Sequence, residues 1–290
     1  MKNSTKKNKF AFSLIELAVV VMIIGILVAG ISQTSSIIRN AKISNARSIT
    51  SKSPANQISG LVAWYEPSFL ESFNASQSFN NAQITLWQDI SPSSLLAKTN
   101  QLTATASNDI KYKSKGINDI PTVNFTGSAR LNLSAFTQGS LSQATIFVVM
   151  NPNYVTDTAT YKTIIDGNLA TFSLSIKQDG VALNAGTNGT STAVSNSFMY
   201  NMPKIICAYF NSTLSQAFVN NTNSNLGNTQ FNSGTNFLSG LSVGSNFSVG
   251  SGFIGDISEI IIFNRVLKTG ERREIFNYLA KKYKIEVTGI

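Results

Sequence analysis

The chain of 290 residues contains no histidine and a single cysteine, Cys207. Without histidine the usual nucleophile–base pairs of hydrolases are missing. A lone cysteine cannot close an internal disulfide, so stability has to come from burial. Charge is sparse as well, at 13% of residues, and acidic side chains number only 14 against 23 basic ones. The net charge of +9 includes Lys2, Lys6, Lys7 and Lys9 at the start of the chain. The remaining basic residues are scattered, which argues against a nucleic-acid partner. Asp89, Asp109, Asp119, Asp157, Asp166 and Asp256 never form a D-x-D-x-D-G loop, and single aspartates of this kind are ordinarily turn residues. No cofactor is expected; calcium is left open as the one candidate, with no ligands assigned to it.

What the chain has in place of charge is one long apolar run, Phe10 to Ile31, interrupted by a single carboxylate, Glu16. A run of about 20 apolar residues is long enough to cross a bilayer as a helix. The basic leader would then stay cytoplasmic and the rest of the chain would face outward. A carboxylate at the centre of such a helix costs roughly 2.5 to 3.5 kcal/mol, which makes Glu16 a candidate functional residue in search of a partner. No Lys, Arg or His lies between Phe12 and Ile31. A cut between Ala11 and Phe12 would create an α-amino group four residues from Glu16, about 6 Å along a helix.

These residues carry a resemblance. Ala11-Phe12-Ser13-Leu14-Ile15-Glu16-Leu17 ahead of an apolar helix resembles the processing motif of type IV prepilins and pseudopilins. The resemblance implies that a membrane prepilin peptidase cuts after Ala11 and N-methylates Phe12. It also implies that Glu16 docks on the N-terminus of an adjacent pilin or pseudopilin subunit. Ala11 departs from the family's usual Gly but is still small. Two plainer readings are a secretory signal peptide ending near Val28-Ala29-Gly30 and an uncut membrane anchor, and either would leave Glu16 unexplained. Since the leader implies a prokaryote, sequons such as Asn74-Ala75-Ser76 are not read as glycosylation sites.

Beyond Ile31 the pattern is amphipathic, with Ile37, Ile38, Ala41, Ala46 and Ile49 at helical spacing. The expected organisation is a leader over residues 1–11, a membrane and stem helix over 12–52 stopped by Pro54, a linker over 53–59, and a globular domain over 60–290. About ten short runs rich in Val, Ile and Phe, separated by Gly, Asn and Asp, predict an all-β antiparallel sandwich or jelly roll. Asp179-Gly180 marks a hairpin, and Asn220-Asn221 marks a weaker one. Lys268 to Lys284 reads as a closing helix with Thr269 as N-cap, an apolar face of Ile275, Phe276, Leu279, Ala280 and Tyr283, and Lys281, Lys282 and Lys284 complementing the dipole. Gly255 to Leu267 with this helix, and the runs at Gly60-Tyr65, Trp87-Ser91 and Pro121-Phe125, are similar to concanavalin A-like, laminin-G-type jelly rolls. That resemblance implies a binding domain for a glycan or a surface protein, and the fold alone names no ligand.

Within the domain, Asp256 and Glu259 form the one close acidic pair on a strand. Three residues apart, they point to opposite faces unless a bulge intervenes, so the expectation is an edge or turn Asp and a solvated or Arg265-paired Glu, and no enzyme. Trp64 and Trp87 are expected in the core; Tyr154, Tyr161 and Tyr200, in loop-like segments, are the candidates for stacking on a ligand. The function expected is a pilin-like or pseudopilin-like minor subunit, held in the inner membrane and then carried into a periplasmic or cell-surface filament. The alternative is a membrane-anchored glycan-binding or glycan-processing module that does not polymerise.

Overall fold

A computed structural model describes residues 13–105, 109–153, 160–168, 172–177, 180–185, 192–195, 201–221, 232–234, 236–247 and 250–290. The chain divides into two compact units, the first ending at Ser44 and the second running Asn45–Ile290. One helix, α1 (Leu14–Ser51), starts in the first and ends in the second.

From Leu14 to Gly30, apart from Glu16 in its first turn, α1 is apolar on every side. Large side chains from Leu14, 87% exposed, to Val28, 58% exposed, have no cover, and neither do Ile37 and Ile38 further along. A helix that is hydrophobic all round is ordinarily buried in protein or lipid. Among the described residues, no helix is long and apolar enough to cross a membrane. The spanning reading of the sequence is therefore not met by the described helix as it stands: its apolar side chains are described from Leu14 to Gly30, and Ser32 and Gln33 follow soon after.

The second unit is a β-sandwich. In chain order it holds β1 (Leu61–Tyr65), β2 (Leu86–Trp87), the short helix α2 (Pro92–Ala97), β3 (Leu102–Thr105), β4 (Ile110–Lys113), β5 (Thr122–Thr126), β6 (Arg130–Leu133), β7 (Ala144–Pro152) and β8 (Lys162–Asp166). Then come β9 (Phe172–Lys177), β10 (Gly180–Ala185), β11 (Thr192–Ser195), β12 (Lys204–Phe210), β13 (Gln216–Val219), β14 (Leu241–Val243) and β15 (Ile254–Phe263). A seven-stranded sheet has the order β13-β12-β7-β15-β5-β4, with β1 also paired to β15; an eight-stranded sheet has the order β11-β10-β9-β8-β14-β6-β3-β2. Every strand pairing is antiparallel, as the jelly-roll expectation requires. β9 and β10 pair from Lys177 opposite Gly180, as the hairpin read at Asp179-Gly180 requires, though Asp179 itself lies outside the described residues. After β13, Asn220 takes a left-handed conformation and its side-chain oxygen accepts the Ile205 N–H at 2.7 Å; residues 222–231, where the second arm of a hairpin at Asn220-Asn221 would run, lie outside the described residues.

Between the sheets lies the main core, with Ile146, Val148, Ile260 and Ile262 from one sheet and Leu131, Leu174 and Val243 from the other. Trp87 is in this core, and Trp64 is buried on the outer side of the seven-stranded sheet. There a second cluster joins Phe147, Ile261 and Phe263 to the closing helix α3 (Thr269–Tyr283), through Ile275, Phe276, Leu279 and Tyr283. β7 and β15 are covered on both faces, which is why they read as near-continuous apolar runs rather than as alternating ones.

The cap of α3 falls one residue earlier than the sequence suggests. Lys268 is the N-cap and Thr269 the first helical residue; Glu271 accepts the Lys268 N–H at 2.7 Å and a two-pronged contact from Arg265 at 2.6 and 2.9 Å. The stretch after α1 packs onto the same face: Ser53 Oγ accepts the Ala55 N–H, Ala55 is fully buried, and Ala46 and Ile58 join the α3 cluster. Arg47 Nε donates to the Ser68 carbonyl at 2.6 Å. The last turns of α1 are thus built into the sandwich unit.

Candidate functional site

On the outer face of the seven-stranded sheet, the geometry corrects the sequence reading of Asp256 and Glu259. β15 pairs along one side with β7, while on its other side it changes partner from β5, opposite Ile254–Ile257, to β1, opposite Ile260–Phe263. The register shifts between Ile257 and Glu259, next to that change of partner. One extra residue in a strand restores the same facing to positions three apart. Ile257 and Ile260 both enter the inter-sheet core, so Asp256 and Glu259 both lie on the outer face.

Neither residue is solvated, and neither meets Arg265, whose partner is Glu271. Asp256 accepts from Lys113 Nζ at 2.7 Å and from the Asn124 amide at 2.8 Å. Glu259 is fully buried and accepts four donors: Trp64 Nε1 at 2.7 Å, Tyr278 Oη at 2.7 Å, Tyr283 Oη at 2.8 Å and Lys282 Nζ at 2.8 Å. Lys282, read from sequence as a dipole-complementing surface residue, is instead enclosed between Glu259 and a second buried carboxylate, Glu66, 3.1 Å away. The Ser68 N–H donates to Glu66 Oε1, while Glu66 Oε2 and Ser68 Oγ have no hydrogen-bond partner among the described residues. Tyr278 Oη also reaches Thr50 Oγ1 at 3.4 Å, tying the end of α1 to the cluster.

Burial pushes the Glu259 carboxyl above its ordinary range and the Glu66 charge adds to this, against the pull of Lys282. The same desolvation holds the Tyr278 and Tyr283 hydroxyls well above theirs. Asp89, which accepts the Trp64 N–H at 2.8 Å, is raised by burial too. Burial pushes the Cys207 thiol up to about 12, which leaves it an inert core side chain. With two acids and one lysine closed off from solvent, the cluster has no room for a substrate; it fastens β1, β15, α3 and the end of α1 together. Open grooves of about 470 and 650 Å³ flank α3, the first beside Ile49, Lys52 and Lys281 and the second beside Lys204, Lys284 and Glu286. Among the described residues, no group of three or more His, Cys, Asp or Glu could hold a metal ion.

In the first unit, Glu16 is exposed in the opening turn of α1, and its Oε2 accepts the Ser13 backbone N–H at 2.9 Å. This partner was legible in the sequence: Ser13-x-x-Glu16 has the spacing of a capping box, in which the third helical residue reaches back to the cap. Ala11, Phe12, Tyr154 and Tyr200 lie outside the described residues; Tyr161 is half-buried, just before β8.

Residues 6–32 match the family model described as the prokaryotic N-terminal methylation motif. Comparison with curated proteins gives no match. Among solved structures, the chain is similar to a Trypanosoma rangeli sialidase in complex with the inhibitor DANA, with a TM-score of 0.53 and 13% identity over 76% of this chain and 33% of that one. It is also similar to domain 4 of an extracellular GH43 arabinanase from Geobacillus stearothermophilus, in complex with arabinotriose, with a TM-score of 0.50 and 15% identity over 75% of this chain and 97% of that one. The binding domain of Paraclostridial Mosquitocidal Protein 1 gives a TM-score of 0.51 and 11% identity over 78% of this chain and 53% of that one. The chain spans about a third of the sialidase's length, and at these identities the likeness is one of fold. The protein carries a methylation motif of the prepilin type ahead of a jelly-roll β-sandwich similar in fold to domains of a sialidase and an arabinanase.

Proposed function

We propose that the protein is a pilin-like or pseudopilin-like subunit that displays its sandwich as a binding domain. The observation that carries this reading is the coincidence, on one segment, of the motif match at residues 6–32 with a helical stretch whose large apolar side chains from Leu14 to Val28 are exposed and whose one acid, Glu16, sits in the first turn. A prepilin peptidase would cut after Ala11 and N-methylate Phe12, and Glu16 would exchange the Ser13 N–H for the N-terminus of a neighbouring subunit.

Before assembly the segment would lie in the inner membrane with the leader cytoplasmic. Leu14 to Gly30 is about 26 Å of helix, just short of a ~30 Å hydrocarbon core. The apolar sequence continues at Phe10 to Phe12 on one side and Ile31 on the other, which is enough to complete a span. A sandwich this bulky, fastened directly to the end of α1, would crowd a filament, which favours a minor or tip position. No catalytic role is proposed for the acids of the α3 cluster, because each is buried and engaged in a contact that holds the fold.

A second reading, an anchored glycan-binding or glycan-processing module that never polymerises, is favoured by the fold likeness to an arabinanase domain solved with arabinotriose. Glu16→Ala separates the two. Filament incorporation of the variant, measured in sheared fractions from cells, is expected to fall at least about tenfold while the membrane level stays unchanged. Incorporation at the wild-type level would reject the pilin-like reading.

A further inference from the structure

Of the three lysines at the end of α3, Lys281 and Lys284 are exposed, whereas the Lys282 side chain is enclosed at 0% exposure. Its nitrogen lies between two carboxylates that are equally enclosed, Glu259 at 2.8 Å and Glu66 at 3.1 Å. The rings of Tyr283 and Tyr278 stand over it, with centres 5.0 and 5.6 Å away. Two acids against one base leave charge unmatched in an apolar shell, and taking such ions out of water carries a heavy desolvation cost. A neutral bond in place of one ion pair would remove much of that cost.

The two acids are held differently. Glu259 is saturated by its four donors, Trp64, Tyr278, Tyr283 and Lys282. Glu66 is lopsided: its Oε1 accepts the Ser68 N–H at 3.0 Å and faces Lys282, while its buried Oε2 has no hydrogen-bond partner among the described residues. A buried acceptor without a donor costs free energy, and each one in a folded protein calls for a reason. Acyl transfer supplies one. The oxygen that gathers charge has to be held by a donor, and the oxygen that departs has to be free.

We propose that Lys282 Nζ condenses with the Glu66 carboxyl to form an amide that cross-links α3 to the segment just after β1. Nζ gives a proton to Glu259 Oε2, 2.8 Å away, and its lone pair attacks Glu66 Cδ. The new C–N bond pushes negative charge onto Oε1, where the Ser68 N–H receives it. The proton held by Glu259 and a second one from Nζ move to Oε2, the C–Oε2 bond breaks, and one water leaves. Glu259 ends as it began, and neither oxidant nor cofactor is consumed. Burial holds the reacting groups together at high effective concentration and keeps out the water that would reverse the bond.

The bond forms once in each chain and turns over no substrate. It would give a chain with a single cysteine the covalent fastening that it cannot obtain from a disulfide. It lies beside the end of α1, where the Tyr278 hydroxyl reaches Thr50 Oγ1 at 3.4 Å. The inference goes beyond the display reading and does not depend on a cut after Ala11.

The test is the intact mass of the folded full chain, expressed without a prepilin peptidase and purified in detergent micelles, followed by proteolysis and tandem mass spectrometry. Wild type is expected to be lighter than its sequence by one water and to yield a branched peptide joining Glu66 to Lys282, uncut by trypsin after Lys282. Lys282→Arg and Glu66→Ala should each have the full mass of their sequence. Glu259→Gln, which keeps the shape of the side chain but removes the base, should slow the loss of water at least about tenfold, followed with time after refolding. Folded wild type that stays at full mass on prolonged incubation, or a branch that joins Lys282 to Glu259 instead, would overturn the proposal. Filament incorporation is read separately through Glu16, so failure of the cross-link and failure of the pilin-like reading are told apart.

Discussion

Glu16 and Glu259 are both carboxylates set among apolar residues, and the molecule treats them in opposite ways. Glu259 has no solvent exposure and four donors around it, from two elements of one folded unit. Glu16 stands on a stretch of helix whose large apolar side chains, Leu14 to Val28, are exposed, with one local backbone donor, Ser13. A carboxylate whose partners all come from its own fold contributes to that fold. One with apolar surroundings left uncovered is incomplete as an isolated chain. The contrast separates a part built to be rigid from a part built to be used against something else.

The strongest test of the rigid half is Lys282→Met. It leaves Glu259 and Glu66 buried without their cation, and the loss of a partner from a buried ion pair costs about 3–5 kcal/mol. Chemical denaturation of the variant should show that loss, and a change below about 1 kcal/mol would mean that the cluster is not the fastening described. The same substitution should leave processing of the N-terminus untouched.

Glu259→Gln gives a smaller effect with a defined sign. The folded-state pKa of Glu259 is raised by burial, so between the ordinary carboxylate value near 4.3 and that raised value the native state holds a proton that the unfolded state has lost. Through that window stability falls as pH rises, by up to about 1.4 kcal/mol per pH unit. Wild type should therefore gain stability as the pH falls through that window, and the glutamine variant should lose that slope. An unchanged slope would assign the dependence to other groups, such as Asp89 or Asp166, which burial also raises.

Glu271→Ala should have the smallest effect, about 1 kcal/mol, as the cap of α3 and its contact to Arg265 are lost at a partly exposed site. Glu271 is lowered to about 2, first by its hydrogen bond to Arg265, so its contribution is present above pH ~4 and disappears as the pH falls toward 2. Denaturation midpoints that coincide for variant and wild type near pH 2 but separate at pH 6 would match this account.

How much was legible in the sequence follows from the same contrast. α1 and α3 were read nearly to the residue, because periodic apolar positions, Pro54 and a terminal lysine run mark them locally. β7 was plain because a strand covered on both faces is nearly continuously apolar, and β15 because its second half, Ile260 to Phe263, is. β3, β4, β6 and β11 were missed. The first three each send only two apolar side chains inward, such as Ile110 and Tyr112 in β4, and fill the rest with Thr, Lys, Asn or Arg, so the pattern looks like a loop. Glu259 was misjudged because a strict alternation of two was assumed, and no Gly or Asn marks the bulge beside it. Glu66 and Lys282 gave no signal at all, since a buried charge is recognisable only from partners that are distant in sequence.

The most direct test of the central claim is the intact mass and N-terminal sequence of the full chain expressed with and without a prepilin peptidase. The account predicts a peptidase-dependent product that begins at N-methylated Phe12. An uncut chain beginning at Met1, or a cut near Gly30, would contradict it and leave a tethered or secreted jelly roll in place of a filament subunit.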